Sequence, residues 1–85
     1  DAQNLLPDWE VSGEFLFRVF LFKNFVEAFD FMTAISSTAE EMNHHPDWAN
    51  VYNKVEVRLS THDSGGVTSL DVQLASVMDS LFTED

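Results

Sequence analysis

Cysteine is absent from this 85-residue chain. That excludes disulfides and thiolate metal sites together, and leaves the compartment open on redox grounds. Cations are few: four Lys and Arg stand against fifteen Asp and Glu, for a formal net charge of −11. A field of that sign repels polyphosphate, so direct nucleic-acid binding is not expected, and most of the acidity reads as solvated surface. No apolar run reaches the length of a membrane span. No signal peptide is visible, and the chain opens at Asp1 rather than Met, which leaves room for a leader ahead of it. G-x-S-x-G is missing, and Gly65-Gly66 lacks the lysine and spacing of a phosphate loop, so it reads as a turn before a helix. There is no internal repeat and no low-complexity segment.

What remains is 45% hydrophobic and 13% aromatic, enough for one small packed domain over residues 1–85. So small a core makes self-association a reasonable expectation. Residues 1–8 read as a shortened helix anchored by Leu5 and Leu6, and Trp9–Val11 as a short strand before a Ser12-Gly13 turn. Phe15–Phe22 is rich in strand formers and apolar on both faces, so it needs cover on both; a subunit interface or a ligand cavity would be the second cover. Asn24, with Glu27 three residues on, predicts a capped helix from Phe25 to Met42. Its apolar stripe is read as Phe25, Phe29, Met32, Ile35, Ala39 and Met42, with Phe31 at the stripe's edge or in an oligomer contact. Pro46 closes the helix; Asp47 and Trp48 continue a loop, and Val51–Leu59 alternates as a single strand. A polar link, with a further short strand in or near it, leads to a last helix capped by Thr68 with Asp71, burying Leu70, Leu74, Val77, Met78 and Leu81. Segregated strands and helices predict an α+β fold with an antiparallel sheet.

All three histidines fall between residues 40 and 62, as His44, His45 and His62. Histidine is the side chain best suited to proton transfer near neutrality. Three readings stand side by side: ordinary structural histidines, a three-histidine metal site, and metal-free acid–base catalysis. Adjacent histidines are awkward as paired metal ligands, and rings on an extended chain would point to opposite sides. They share a pocket only if the backbone turns there. Glu40, Asp47 and Asp63 are the carboxylates close enough in sequence to act on them.

The run E-x-x-N-H-H-P-D-W-x-N-V-Y-N-K-V from Glu40, then L-S-T-H-D and a G-G turn, resembles the pterin-4a-carbinolamine dehydratases. The resemblance extends from Phe15 to Leu81, with F-K-N-F-x-E-A-F-D-F-M-T matching the family's second strand and long helix. It implies a four-stranded antiparallel sheet with helices packed on one face, in homodimers joined edge to edge or homotetramers built through the long helix. It implies dehydration of 4a-hydroxytetrahydrobiopterin to quinonoid dihydrobiopterin, within tetrahydrobiopterin recycling, with no metal and no organic cofactor. His44, His45 and His62 match the catalytic histidines, one taking a ring proton and another protonating the leaving hydroxyl. Glu40, Pro46 and the run Thr61-His62-Asp63-Ser64 match pterin-contacting positions. Trp48 and Asp71 match recurrent positions, Trp48 as pocket wall or packing and Asp71 as site residue or helix cap. Glu41 departs from the family's usual lysine, and the Ser12-Gly13 hairpin and the N-terminal helix are shorter than usual. The resemblance also implies a cytoplasmic or nuclear protein. It admits a second role as a binding module, a transcriptional coactivator with a transcription-factor partner or an assembly factor.

Overall fold

The computed structural model describes residues 2–82, apart from the side chains of Ala2 and His62. A single helical turn, α1 (Ala2–Leu5), ends where Pro7 interrupts it, and it leaves Leu6 and Trp9 buried. Two short strands follow, β1 (Glu10–Val11) and β2 (Leu16–Leu21). Between them Ser12 Oγ accepts from the backbone N–H groups of Glu14 and Phe15, which sets a tight hairpin. β2 alternates as its sequence demands. Leu16, Arg18 and Phe20 face inward, while Val19 and Leu21 remain exposed on the outer face.

α2 (Phe25–Met42) has the predicted ends. Asn24 Oδ1 accepts from Glu27 N–H at 2.9 Å, while the Glu27 carboxylate reaches one residue further back than a closed capping box, to Lys23 N–H at 3.3 Å. The predicted stripe holds from Met32 onward, where Ile35 and Ala39 are buried and Met32 and Met42 pack against the core, and fails at Phe25 and Phe29. Ala28, Phe31, Ile35 and Ala39 point inward, and Phe25 and Phe29 are about half exposed. The helix carries two adjacent apolar stripes, and small Ala28 and Ala39 let the backbone approach the sheet along the one that is buried. Phe31 is therefore a core residue, its ring centre 4.8 Å from Phe20 and 5.1 Å from Phe22.

The predicted strand Val51–Leu59 is in fact the end of one strand and all of the next, β3 (Asp47–Val51) and β4 (Lys54–Leu59). The turn is Tyr52-Asn53, with Tyr52 at φ 51°. Side chains enforce it without glycine: Asn50 Nδ2 donates to the Tyr52 and Lys54 carbonyls, and Asn53 Nδ2 donates to the Phe22 carbonyl. Asp47 and Trp48 thus belong to the fourth strand rather than to a loop. All pairs are antiparallel in the order β1-β2-β4-β3. The last helix, α3 (Ser69–Leu81), buries the predicted Leu74 and Met78 together with Asp71 and Ala75; Val77 is half-buried, while Leu70 and Leu81 are exposed.

The fold is α+β, and its core lies between the sheet and the helices. Leu16, Phe20, Val55, Val57 and Leu59 from the strands meet Ala28, Phe31, Ile35, Leu74, Ala75 and Met78 from α2 and α3. Arg18 enters this inner face only with partners. Its guanidinium bonds Asp79 at 2.7 Å and lies over Phe20, and Trp9 Nε1 donates to the same carboxylate oxygen at 2.8 Å. No helix among the described residues is long and apolar enough to cross a membrane.

Candidate active site

The histidine pair is separated by the way α2 ends. Asn43 takes the left-handed conformation, φ 52° and ψ 42°. Its N–H bonds the Glu40 carbonyl at 3.1 Å, and His44 N–H reaches back to the Ala39 carbonyl at 3.0 Å. These two bonds form a Schellman turn, which reverses the chain within one residue. His44 is thereby carried inward to 8% exposure. His45 stays outside, its side chain 59% exposed, with Nε2 2.9 Å from Glu40 Oε1. Pro46 disfavours a helical conformation at His45 before it, and the chain then enters β3.

The second wall comes from the link after β4. Thr61 and Gly66 pair as an isolated antiparallel bridge, closing a tight loop that holds a 3₁₀ turn at His62–Ser64. Gly66 must be glycine: a Cβ there would lie 2.4 Å from the Gly13 carbonyl oxygen in the β1–β2 hairpin. The same carbonyl accepts from Val67 N–H at 3.2 Å. Thr68 then caps α3 in a full capping box with Asp71.

Asp71 joins the two walls. It is wholly buried, and both its oxygens are engaged. Oδ2 accepts from Thr68 N–H at 2.9 Å and from Thr61 Oγ1 at 2.8 Å. Oδ1 lies 2.5 Å from His44 Nε2. A carboxylate only accepts, so the hydrogen-bond directions follow. His44 Nε2 carries a proton, Thr61 donates to Asp71, and the Thr68 hydroxyl, 2.8 Å away, donates to Thr61. Among the described residues no buried polar side-chain atom lacks a partner, and Asp71 is the partner of the His44 ring. With Nε2 protonated, Nδ1 of a neutral His44 ring bears the lone pair.

His44 lines a cleft of about 330 Å³ together with Asn43, His45, Ser60, Thr61 and Asp63. The volume suits a small bicyclic ligand. The fold thus brings His44, His45, Thr61 and Asp63 to one cleft, with Glu40 behind His45 and Ser64 in the turn beside Asp63. The His62 backbone lies in that turn; its side chain is outside the described residues. Trp48 is half-buried, packs against the core and borders a different, smaller hollow of about 110 Å³, with Phe17 and Arg58 among its lining. Asp71 is the residue that sequence reasoning undervalued. Its capping position was legible, but one carboxylate both capping a helix and holding a histidine was not. Among the described residues no three His, Asp or Glu side chains converge as metal ligands.

A family profile described as Pterin 4 alpha carbinolamine dehydratase matches residues 1–81. A Bradyrhizobium diazoefficiens protein, provisionally named a pterin-4-alpha-carbinolamine dehydratase, is 56% identical over 78 residues, covering 89% of this chain and 78% of that one. A Synechococcus protein of the same provisional name is 54% identical over 78 residues, covering 92% and 84%. The crystal structure of a transcriptional coactivator/pterin dehydratase from Brucella melitensis superposes with a TM-score of 0.92 at 43% identity, over 96% of this chain and 89% of that one. With the sheet order, the turned histidine pair and a family match over nearly its whole length, this chain belongs to the pterin 4 alpha carbinolamine dehydratase family.

Proposed function

We propose that this protein dehydrates 4a-hydroxytetrahydropterins, with 4a-hydroxytetrahydrobiopterin as the substrate in tetrahydrobiopterin recycling. The reaction removes a proton from a ring nitrogen and hydroxide from C4a, which leave together as water, and the product is the quinonoid dihydropterin. Hydroxide is a poor leaving group until protonated, so the step calls for a base on one side of the ring and an acid on the other. General acid–base help of this kind is worth about 10²–10⁴-fold.

The observation that carries the reading is that His44, which lines the cleft, is held by buried Asp71. With Nε2–H held by Asp71, His44 offers the Nδ1 lone pair as the base for the ring proton. The carboxylate behind it faces the charge the ring gains in the transition state. His45 and His62 are left to protonate the departing hydroxyl, and Glu40 orients His45 through its 2.9 Å contact. Thr61, Asp63 and Ser64 contact the pterin from the second wall, and Pro46 shapes the entry ahead of β3. The test is the rate of carbinolamine decay, followed by absorbance with and without the protein in the presence of a chelator. Acceleration that survives chelation supports the reading, and a folded protein without effect refutes it.

A second reading is favoured by the exposed apolar ridge of α2, where the tilted rings of Phe25 and Phe29 lie 5.7 Å apart and Val26 is also exposed. Such a ridge suits a homodimer or homotetramer contact, or a partner of the coactivator type that the Brucella structure's name mentions.

A further inference from the structure

Charge around the cleft is one-sided, and every cation of the chain can be accounted for. Arg18 is engaged by Asp79, about two turns down α3 from Asp71. Lys23 precedes the far end of the 18-residue α2, about 27 Å from His44 at 1.5 Å per residue. Lys54 pairs with Glu56 at 3.1 Å, at the opposite end of β4 from Ser60. Arg58 is nearest in sequence, but its guanidinium lies 4.9 Å over the Phe15 ring and 5.7 Å from that of Phe17, on the outer sheet face. None of the four lines the cleft. Asp63 does, Glu40 contacts His45 of the lining, and Asp71 is buried against His44.

We propose that this cleft selects pterins whose 6-substituent is uncharged, and that Asp63 and Glu40 enforce the choice against phosphate- or carboxylate-bearing pterins. The inference rests on the dehydratase reading and narrows its substrate class. A neutral pterin ring offers amide and amino N–H donors that a carboxylate-lined cleft can accept. An anionic tail meets two carboxylates within about one Debye length and finds no cation to offset its desolvation. Repulsion of this origin weakens when salt screens it, whereas a purely steric exclusion does not.

The test compares binding of 6-hydroxymethylpterin and 6-carboxypterin to the purified protein by pterin fluorescence anisotropy, at about 20 mM and about 300 mM salt. The neutral ligand is expected to bind about tenfold more tightly at low salt, and the gap is expected to shrink several-fold at high salt. Asp63→Asn and Glu40→Gln should each narrow the gap at low salt. Equal affinities, a gap insensitive to salt, or a gap unchanged in both variants would overturn the proposal while leaving the dehydratase reading in place. Failure of both ligands to bind the folded protein would sink that reading as well as the proposal. The salt dependence of the unaltered protein keeps the test decisive even where a variant does not fold.

Discussion

Replacing Asp71 by Asn separates the two tasks of this carboxylate, because an amide cannot perform both. With its oxygen toward His44, the NH₂ group faces Thr68 N–H and the Thr61 hydroxyl, and the helix cap is lost. With its oxygen toward Thr68, the NH₂ group donates to His44 Nε2, and the ring proton must move to Nδ1. The second orientation keeps the helix and removes the base. Loss of a cap costs about 1 kcal/mol, and a mismatched buried hydrogen bond about 1–3 kcal/mol. For a domain of this size that corresponds to a melting temperature lowered by about 5–20 °C, short of unfolding at 25 °C. Turnover should fall by about 10²–10⁴-fold, far more than so modest a loss of stability would cause. Carbinolamine decay gives the rate, and ¹⁵N shifts of the His44 ring report the tautomer. An Asp71→Asn protein that keeps the original rate, or an unaltered protein whose His44 carries its proton on Nδ1, would refute the assignment of His44 as base.

Four further outcomes are expected. His44→Ala should lower turnover by about 10²-fold or more with the circular dichroism spectrum retained; unfolding instead would mark His44 as structural, and near-normal turnover would remove it from the mechanism. Phe31→Ala should cost about 3–5 kcal/mol in urea unfolding, and a loss below about 1 kcal/mol would place its ring outside the core. Gly66→Ala forces a methyl group against the Gly13 carbonyl, and should cost about 1–3 kcal/mol in the same assay, whereas a neutral result would deny the close approach. Asp79→Ala strips Arg18 and Trp9 Nε1 of their shared acceptor, and should lower stability by about 2 kcal/mol without changing turnover in folded protein; an equal loss of rate and stability would tie this cluster to the cleft.

The helix caps were legible because they are local. Asn24 with Glu27 and Thr68 with Asp71 each fix a boundary within four residues, and α2 spans the predicted range. The alternation of Val55, Val57 and Leu59 was equally plain, and all three are buried. Less legible was anything that depends on how elements meet. Whether Phe31 or Phe29 faces the sheet is decided by the small size of Ala28 and Ala39, which hydrophobicity does not register. The β3–β4 hairpin was hidden because its turn is held by Asn50 and Asn53 side chains rather than by glycine. At the cleft, residue types and spacing pointed to the histidines. The burial of one and the exposure of its neighbour came from the left-handed Asn43, a conformation that asparagine tolerates but does not announce.

The contact between Gly66 and the Gly13 carbonyl sets a gauge between two parts of the chain that are far apart in sequence. The hairpin tip fixes how far the Thr61–Gly66 loop can travel, and that loop is one jaw of the cleft. Hairpin length therefore becomes an adjustable dimension of the cleft. Adding or deleting a residue near Ser12 would reset the spacing between jaws without changing the identity of any side chain of the site.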